Sequence, residues 1–238
     1  VGSQAIGQET YASADKALAV GAFATASGLN AVAVGSHNTA SGNQSIAVGY
    51  ANVVSGAHSG AFGDPNVISG NESYAVGNNN TISVNNSFAL GNNISIVAAG
   101  NTVNGNVVLG NLSADKAYAQ VTSGTVGGVT YGNFAGTSVG VVSVGAAGAE
   151  RQIVNVAPGA VTSTSTDAIN GSQLYMGLAT TSSTVASLST STSTAINTTN
   201  SAVSSLSTSA STAINTTNSS VSSLSTSAST AIATTGSS

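Results

Sequence analysis

A five-residue phrase, in which large apolar residues alternate with small ones before a glycine, recurs along the first 91 residues. Residues 31–35 (AVAVG) and 45–49 (SIAVG) are two clear copies. The closing glycines stand 14 residues apart, at Gly7, Gly21, Gly35, Gly49, Gly63, Gly77 and Gly91. Alternation with a period of two is typical of a β-strand, whose successive side chains point to opposite faces. The pattern therefore predicts a short strand in every 14-residue unit.

A second glycine series runs half a period out of phase, at Gly28, Gly42, Gly56 and Gly70. Each unit then holds two short strands and two turns, which is too little to bury a core, so successive units must stack. Glycine suits such turns because it reaches positive φ without a steric penalty. The sequence predicts a parallel β-solenoid with two strands per coil. Its structural turn glycines are Gly21, Gly35, Gly49, Gly63, Gly77 and Gly91.

Both faces of these strands carry apolar or small residues, which indicates burial on both sides. One face would fill the coil, and the other needs a second apolar surface, most simply another copy of the chain. A disordered Gly/Ser/Asn tract is the alternative, but disorder requires no exact hydrophobic phase. The phase slips after Gly91, and residues 113–121 repeat the start of residues 13–21. We interpret this second copy as a degenerate closing coil.

The Ser/Thr-rich tail has a different period, because its large apolar residues recur every 18 positions. They are Val185, Leu188, Ile196, Val203, Leu206, Ile214, Val221, Leu224 and Ile232. Eighteen residues make five helical turns, so the stripe stays on one helix face. A lone helix of this composition is marginal in water, which predicts a coiled coil with these residues in its core. Flanking asparagines, among them Asn197 and Asn200, face either the surface or the core, depending on the register.

Between the two periodic regions, residues 166–169 (TDAI) resemble a helix start with Thr166 or Asp167 as the cap. Arg151 stands in a chain with three cations, and we expect it to be structural, held by Glu150, Asp167 or a carbonyl at the junction between chains of a trimer. We interpret Asp15–Lys16 and its later copy, Asp115–Lys116, as pairs of oppositely charged residues on exposed turns.

Composition excludes several functions. Three Lys and Arg residues cannot build a basic groove for nucleic acid, and the absence of cysteine excludes disulfides and thiolate metal sites. The seven carboxylates are scattered, and His37 and His58 fit exposed turns better than a metal site. We predict no enzymatic activity, no catalytic residues, no cofactor and no metal. Neither a signal peptide nor an apolar run of about 20 residues is present, so we expect a fragment of a longer protein.

The order of β-solenoid, transition segment and polar rod resembles the trimeric autotransporter adhesins of Gram-negative bacteria. Residues 30–35, 44–49 and 86–91 look like head repeats of the Yersinia-type adhesin. Residues 150–159 (ERQIVNVAPG) and 164–175 (TSTDAINGSQLY) are similar to the neck of that family. Residues 124–140 look like a short insert found in relatives.

The resemblance implies a homotrimer of left-handed parallel β-rolls, joined through a neck to a three-stranded α-helical coiled-coil stalk. It divides the chain into a head (1–122), a connector insert (123–145), a neck (146–175) and a stalk (176–238). The neck residues singled out are Arg151, Asp167, Asn170, Gln173 and Leu174. The resemblance also implies an extracellular position at the bacterial surface, anchored in the outer membrane by a C-terminal barrel outside this fragment.

The implied function is attachment to host matrix, to other cells through self-association, or to abiotic surfaces. Yersinia-type heads associate collagen binding with repeats like Asn-Ser-Val-Ala-Ile-Gly, which this chain matches imperfectly. The candidate ligand-binding residues are Asn30, Val32, Val34, Gln44, Ile46, Val48, Asn86 and Phe88. The alternative is a structural spacer with no ligand site of its own. A monomeric solenoid binding ice or carbohydrate is disfavoured because residues 1–121 show no regular Thr-x-Thr ladder.

Overall fold

The computed structural model describes residues 2–97 and 104–236. Contacts divide the chain into two units, Val1–Ala168 and Ile169–Ser238. Each unit is described by itself below. The first is a β-solenoid followed by a hairpin and irregular segments, and the second is one helix.

Two parallel sheets form the walls of the solenoid. Among the described residues, the first sheet (sheet A) consists in spatial order of β1 (Gln4–Ile6), β3 (Leu18–Val20), β5 (Val32–Ser36), β7 (Ile46–Tyr50), β9 (Gly60–Gly63), β11 (Tyr74–Gly77), β13 (Phe88–Leu90), β15 (Val107–Leu109) and β18 (Val142–Ser143). The second (sheet B) consists of β2 (Tyr11–Ala12), β4 (Thr25–Ala26), β6 (Thr39–Ala40), β8 (Val53–Val54), β10 (Asn66–Ile68), β12 (Asn80–Ile82) and β14 (Ser95–Ile96).

The 14-residue repeat sets the register of both sheets. Val32 pairs with Ile46, and Ala33 pairs with Ala47, so equivalent repeat positions stack in columns. The phase slip is visible where Phe88 pairs with Val107, 19 residues later. The predicted fold class, a parallel β-solenoid with two strands per coil followed by a helix, is confirmed.

The solenoid interior is narrow because alanine supplies one of its walls. Sheet A points Ala19, Ala33, Ala47, Ala61, Ala75 and Ala89 inward, all fully buried. Sheet B contributes larger inward residues in its later coils, among them Ile68, Ile82 and Ile96. The larger alternating residues of sheet A therefore lie on its outer face, where they are half-buried or exposed.

A row of buried asparagines runs along the interior beside these alanines. The Nδ2 of Asn52 donates to the Oδ1 of Asn38 at 3.0 Å, Asn66 to Asn52 at 2.8 Å, and Asn80 to Asn66 at 2.9 Å. Each amide also donates to a glycine carbonyl in the next coil, as Asn52 does to Gly63 at 2.7 Å. The row satisfies polar groups that the turns bring into the core.

Two turns complete each coil. The glycine that ends a sheet A strand has positive φ, +125° at Gly49, and a Cβ there would collide with the carbonyl oxygen of Gly63. Two residues after it stands a non-glycine residue in the left-handed region, such as His37 at φ +61°. The opposite turn also holds a left-handed residue, such as Gln44 at φ +56°. These two rows of left-handed residues lie on opposite turns of the solenoid, and the row that contains His37 is interrupted at Pro65.

A hairpin interrupts the end of the solenoid. Its strands β16 (Ser123–Val126) and β17 (Val129–Gly132) pair with each other, antiparallel, around Gly127 and Gly128. Further along, β18 returns to sheet A and pairs with β15, although it lies inside the predicted connector. The predicted domain boundaries stay predictions; the head range includes residues 98–103, which are outside the described residues.

The second unit is helix α1 (Gly171–Thr235), with Asn170 as its N-cap. The side chain of Asn170 accepts from the backbone N–H of Gln173, and the Gln173 side chain accepts from the backbone N–H of Asn170. The predicted cap at Thr166 or Asp167 is wrong, because this reciprocal pair satisfies two of the helix's free N–H groups. Among the described residues, no helix is long and apolar enough to cross a membrane.

Candidate adhesive surfaces

The eight candidate ligand-binding residues fall on two different surfaces. The apolar ones, Val32, Val34, Ile46, Val48 and Phe88, lie on the outer face of sheet A, and all are half-buried. The same columns contain Phe62, Val76 and Leu90, which are 38%, 37% and 47% exposed. The outer face of sheet A is therefore a continuous apolar surface in the single chain.

The polar candidates lie along one turn instead. Asn30, Gln44 and Asn86 have φ of +56°, +56° and +54°, and each donates its backbone N–H to a carbonyl one coil back, as Gln44 does to Leu29 at 2.7 Å. Their backbone is fixed by the stack, while their side chains are half-buried or exposed. We call this the polar turn row; it also contains Lys16, His58 and Glu72.

The outer face of sheet B is a surface that sequence reasoning missed. Its exposed column of serines stands at Ser13, Ser27, Ser41, Ser55, Ser69 and Ser83. A parallel column holds Tyr11, Thr25, Thr39, Val53, Val67, Thr81 and Ser95. The signal was the 14-residue spacing of the serines, which a search for Thr-x-Thr does not detect.

The two histidines lie on opposite turns of the solenoid. His58 belongs to the polar turn row, whereas His37 stands in the other row, between Phe23 and Ala51. Within residues 2–97 and 104–236, no group of three or more His, Asp or Glu side chains could hold a metal ion.

Arg151, which the resemblance predicts to lie in the neck, is hydrogen-bonded to the last coil. Its Nη1 donates to the Ser113 hydroxyl at 2.8 Å and to the Val144 carbonyl at 2.6 Å, and its Nη2 donates to the Asn111 carbonyl at 2.6 Å. The guanidinium is thus held by carbonyl and hydroxyl oxygens of the same chain, rather than by Glu150 or Asp167.

The other neck residues form local hydrogen bonds. The Asp167 Oδ2 accepts from the backbone N–H of Ala160 at 3.0 Å. The Ser172 hydroxyl donates to the Asn170 side chain at 2.8 Å, beside the reciprocal pair with Gln173. Leu174 follows in the first turn of α1 and is exposed.

A cleft of about 650 Å³ lies beside Arg151. It is lined in part by Asp115, Lys116 and Glu150. Burial raises the pKa of Asp115, an effect that outweighs the hydrogen bonds it accepts from the Lys116 backbone and the Asn106 side chain. The pKa of Glu150 is lowered, because its own backbone N–H and that of Gly148 donate to its carboxylate.

The helix presents its apolar stripe to solvent. Val185, Leu188 and Ile196 are all more than half exposed, and every described residue of α1 lies at the surface of the single chain. Many Ser and Thr hydroxyls donate to the carbonyl four residues back, as Thr199 does to Ala195 at 3.0 Å. Such back-bonding satisfies the hydroxyls but buries no apolar area. The stripe therefore needs partner helices.

Two family models match the periodic regions. The model described as YadA head domain repeat (2 copies) matches residues 1–24, 12–38, 26–52, 40–64 and 69–93. The model described as coiled stalk of trimeric autotransporter adhesin matches residues 152–208. Together they cover more than half of the chain. The chain belongs to the trimeric autotransporter adhesins.

Similar proteins include one curated adhesin and one solved structure. Autotransporter adhesin BtaE of Brucella suis biovar 1 (strain 1330) is 56% identical over 54 residues, 22% of this chain and 7% of BtaE. The chain thus spans a small part of that relative's length. The C-terminal YadA-like domain of BPSL2063 from Burkholderia pseudomallei is 35% identical over 51% of this chain and 50% of that chain, with a TM-score of 0.36.

Membership confirms the predicted family and has two consequences. Trimeric autotransporter adhesins are non-enzymatic proteins, as the sequence predicted. The family also implies a homotrimer at the outer surface of the cell, which supplies partners for the apolar surfaces described above.

Proposed function

We propose that this chain is the head, neck and proximal stalk of a surface adhesin that attaches cells through many weak contacts. The observation that carries the proposal is the repetition of one exposed, nearly uncharged surface coil after coil. Three copies on one rod hold equivalent contacts at a high effective concentration, so weak individual contacts add up to firm attachment.

The outer face of sheet A is the surface by which the three heads meet. Its columns are apolar from Leu18 to Leu90, and burying them removes exposed valines and phenylalanines from water. On this account Val32, Val34 and Ile46 contact other subunits, with Val48 and Phe88 beside them.

The polar turn row and the outer face of sheet B then remain for a ligand. Asn30, Gln44 and Asn86 carry amides that donate and accept hydrogen bonds at a fixed spacing. Amide and hydroxyl groups without net charge suit neutral, repetitive partners. The candidate partners are collagen, other matrix proteins, a second copy on another cell and abiotic polymers.

Attachment of beads coated with the whole chain tests the proposal. We expect more beads than albumin-coated controls to remain on collagen, on beads coated with the same chain, or on plastic after washing. Charging the polar turn row by N30D, Q44E and N86D should reduce attachment at least about threefold, because charged carboxylates oppose desolvation.

The control is N93D, which charges the opposite turn and keeps the side-chain oxygen that accepts from the Asn79 Nδ2 at 2.7 Å. Wild-type beads that remain on none of these surfaces would favour the spacer alternative. The spacer would place the ligand contacts in another part of the full protein. Equal losses in the two variants would show that the polar turn row has no special part.

A further inference from the structure

Three aromatic rings form an exposed row on the turn opposite the polar turn row. The ring centroids of Phe23 and His37 lie 4.8 Å apart with an interplanar angle of 31°, and those of His37 and Tyr50 lie 5.6 Å apart at 57°. The side chains of Phe23 and Tyr50 are 40% and 52% exposed, and His37 is also exposed. We call these three residues the aromatic row.

The backbone at Phe23 is unusual for its residue type. Phe23 has φ of +59°, in a region that asparagine, aspartate and histidine enter more readily than phenylalanine, and His37 has φ of +61°. The corresponding positions of later coils hold Asn79 and Asn93 at φ of +55° and +58°. The solenoid can therefore use asparagine here, and placing a ring costs backbone energy that folding does not require.

The rings are also ordered by their neighbours. The backbone N–H of Phe23 donates to the Gln8 carbonyl, and that of His37 donates to the Ala22 carbonyl, both at 2.9 Å. A hydrogen bond of 2.7 Å joins the Ser36 hydroxyl to the His37 Nδ1. The row is thus preorganised, which lowers the entropic cost of binding.

A carboxylate stands at each end of the row. Glu9 occupies the same turn position as Phe23 one coil earlier, and both are in the left-handed region. Gly49 and Gly63 pair in adjacent strands of sheet A. The residues that follow them, Tyr50 and Asp64, therefore stand at equivalent positions one coil apart. Both acidic side chains are exposed. Lys16 is the lysine or arginine nearest to Phe23 in the sequence, and it lies on the opposite turn.

Rings flanked by carboxylates have the chemistry of a cation site. A guanidinium or ammonium is attracted to the face of an aromatic ring within about 6 Å of its centroid. Adjacent strands lie about 4.8 Å apart, so a cation over an end ring is also within reach of the carboxylate one coil away. An anionic partner would be repelled by Glu9 and Asp64, and a neutral sugar carries no charge for them to attract.

We propose that the aromatic row, with Glu9 and Asp64 at its ends, binds arginine or lysine side chains of an extended protein segment. The inference deepens the proposed adhesive function and rests on it for its biological role. It adds a cation-selective contact to the neutral contacts proposed above.

Binding of a model peptide to the immobilised whole chain tests this site. The probe is a 12-residue Gly/Ser peptide with four arginines, compared with the same peptide carrying neutral citrulline. We expect the citrulline peptide to bind at least about tenfold more weakly. The double variant F23N with Y50S, which installs the asparagine found at Asn79 and the serine found at Ser36 in the equivalent positions of other coils, should weaken arginine-peptide binding by a similar factor. So should E9Q with D64N.

D15N is the charge control, because Asp15 is exposed on the opposite turn, where its backbone carbonyl accepts from the Asn30 N–H, and this variant should leave binding unchanged. Unchanged far-ultraviolet circular dichroism and melting show that the variants fold. Equal binding of both peptides, or arginine-peptide binding that F23N with Y50S leaves intact, would overturn the proposal. Binding of chitohexaose that is lost in F23N with Y50S but kept in E9Q with D64N would make the site a glycan site and overturn the ligand class.

The bead assay separates this inference from the proposed function. Beads that attach to no surface, while the arginine peptide binds in the variant-sensitive way, would contradict adhesion and support the site. Beads that attach normally, while peptide binding is insensitive to the variants, would contradict the site and leave the adhesive function in place.

Discussion

The side-chain amide of Asn52 donates to the side-chain oxygen of Asn38 at 3.0 Å, inside the solenoid and one coil away. Both residues are fully buried. The Asn52 Oδ1 in turn accepts from the backbone N–H and the side chain of Asn66, at 2.9 and 2.8 Å. One amide therefore satisfies polar groups in three successive coils.

Replacing Asn52 with alanine should destabilise the solenoid by about 3 kcal/mol, because Gly63 O and the Asn66 donors lose a buried partner. Chemical unfolding of the whole chain at fixed concentration measures the loss. The control is N43A, since the Asn43 Oδ1 accepts an exposed hydrogen bond from the Leu29 N–H at 3.2 Å. That variant should lose less than about 1 kcal/mol. Equal losses would contradict the structural importance of the buried row.

The turn at Gly49 admits no side chain. An alanine Cβ would collide with the Gly63 carbonyl oxygen, and φ of +125° is strained for any L residue. We expect G49A to cost about 3 kcal/mol or more. Gly132 is the control, because nothing lies within 4 Å of a Cβ built there. Melting followed by circular dichroism should show a large fall for G49A and little change for G132A.

The repeat was readable from the sequence because identical positions stack, so the 14-residue phase fixes strands, register and turns together. The aromatic row could not be predicted from the sequence, because Phe23 and His37 do not depart from the hydrophobic pattern of the repeat. Their left-handed backbone is set by the stacked turn, which only the structure shows. The return of β18 to β15 joins residues such as Val107 and Val142, and no periodicity spans that distance. The cap at Asn170 had a signal, Asn followed three residues later by Gln, but Thr166 and Asp167 are equally good cap types.

The protonation of Asp115, in the cleft beside Arg151, makes the stability of the fold depend on pH. Burial raises its pKa above the ordinary 3.8, so the folded state holds the proton more tightly than the unfolded state. The resulting stability is present below pH 3.8 and is lost as pH rises through the raised pKa. D115N should therefore melt higher than the wild type at pH 7, and the difference should shrink near pH 3.

E150Q is the control of opposite sign. The pKa of Glu150 lies below its ordinary 4.5, so its carboxylate stabilises the fold above that pH, and this stability is lost on acidification. E150Q should melt lower than the wild type at pH 7. A difference for D115N that is the same at both pH values would contradict burial as the cause.

The stripe of α1 should tolerate no charge. Leu206 is 70% exposed in the single chain, but in a coiled coil three copies meet at one layer. L206D places three carboxylates there and should cost about 3 kcal/mol or more, through unpaired buried charge. T208D, on the far side of the helix, is the control and should change helix melting little. Identical melting of the two variants would contradict the register of the stripe.

The most direct measurement is the mass of the chain in solution, by light scattering coupled to size exclusion. One chain has a mass of 22.7 kDa. The account predicts a single species of about three times that mass, since the outer face of sheet A and the stripe of α1 both need partner copies. A stable species with the mass of one chain, fully folded, would contradict the shared head interface and the coiled-coil stalk together.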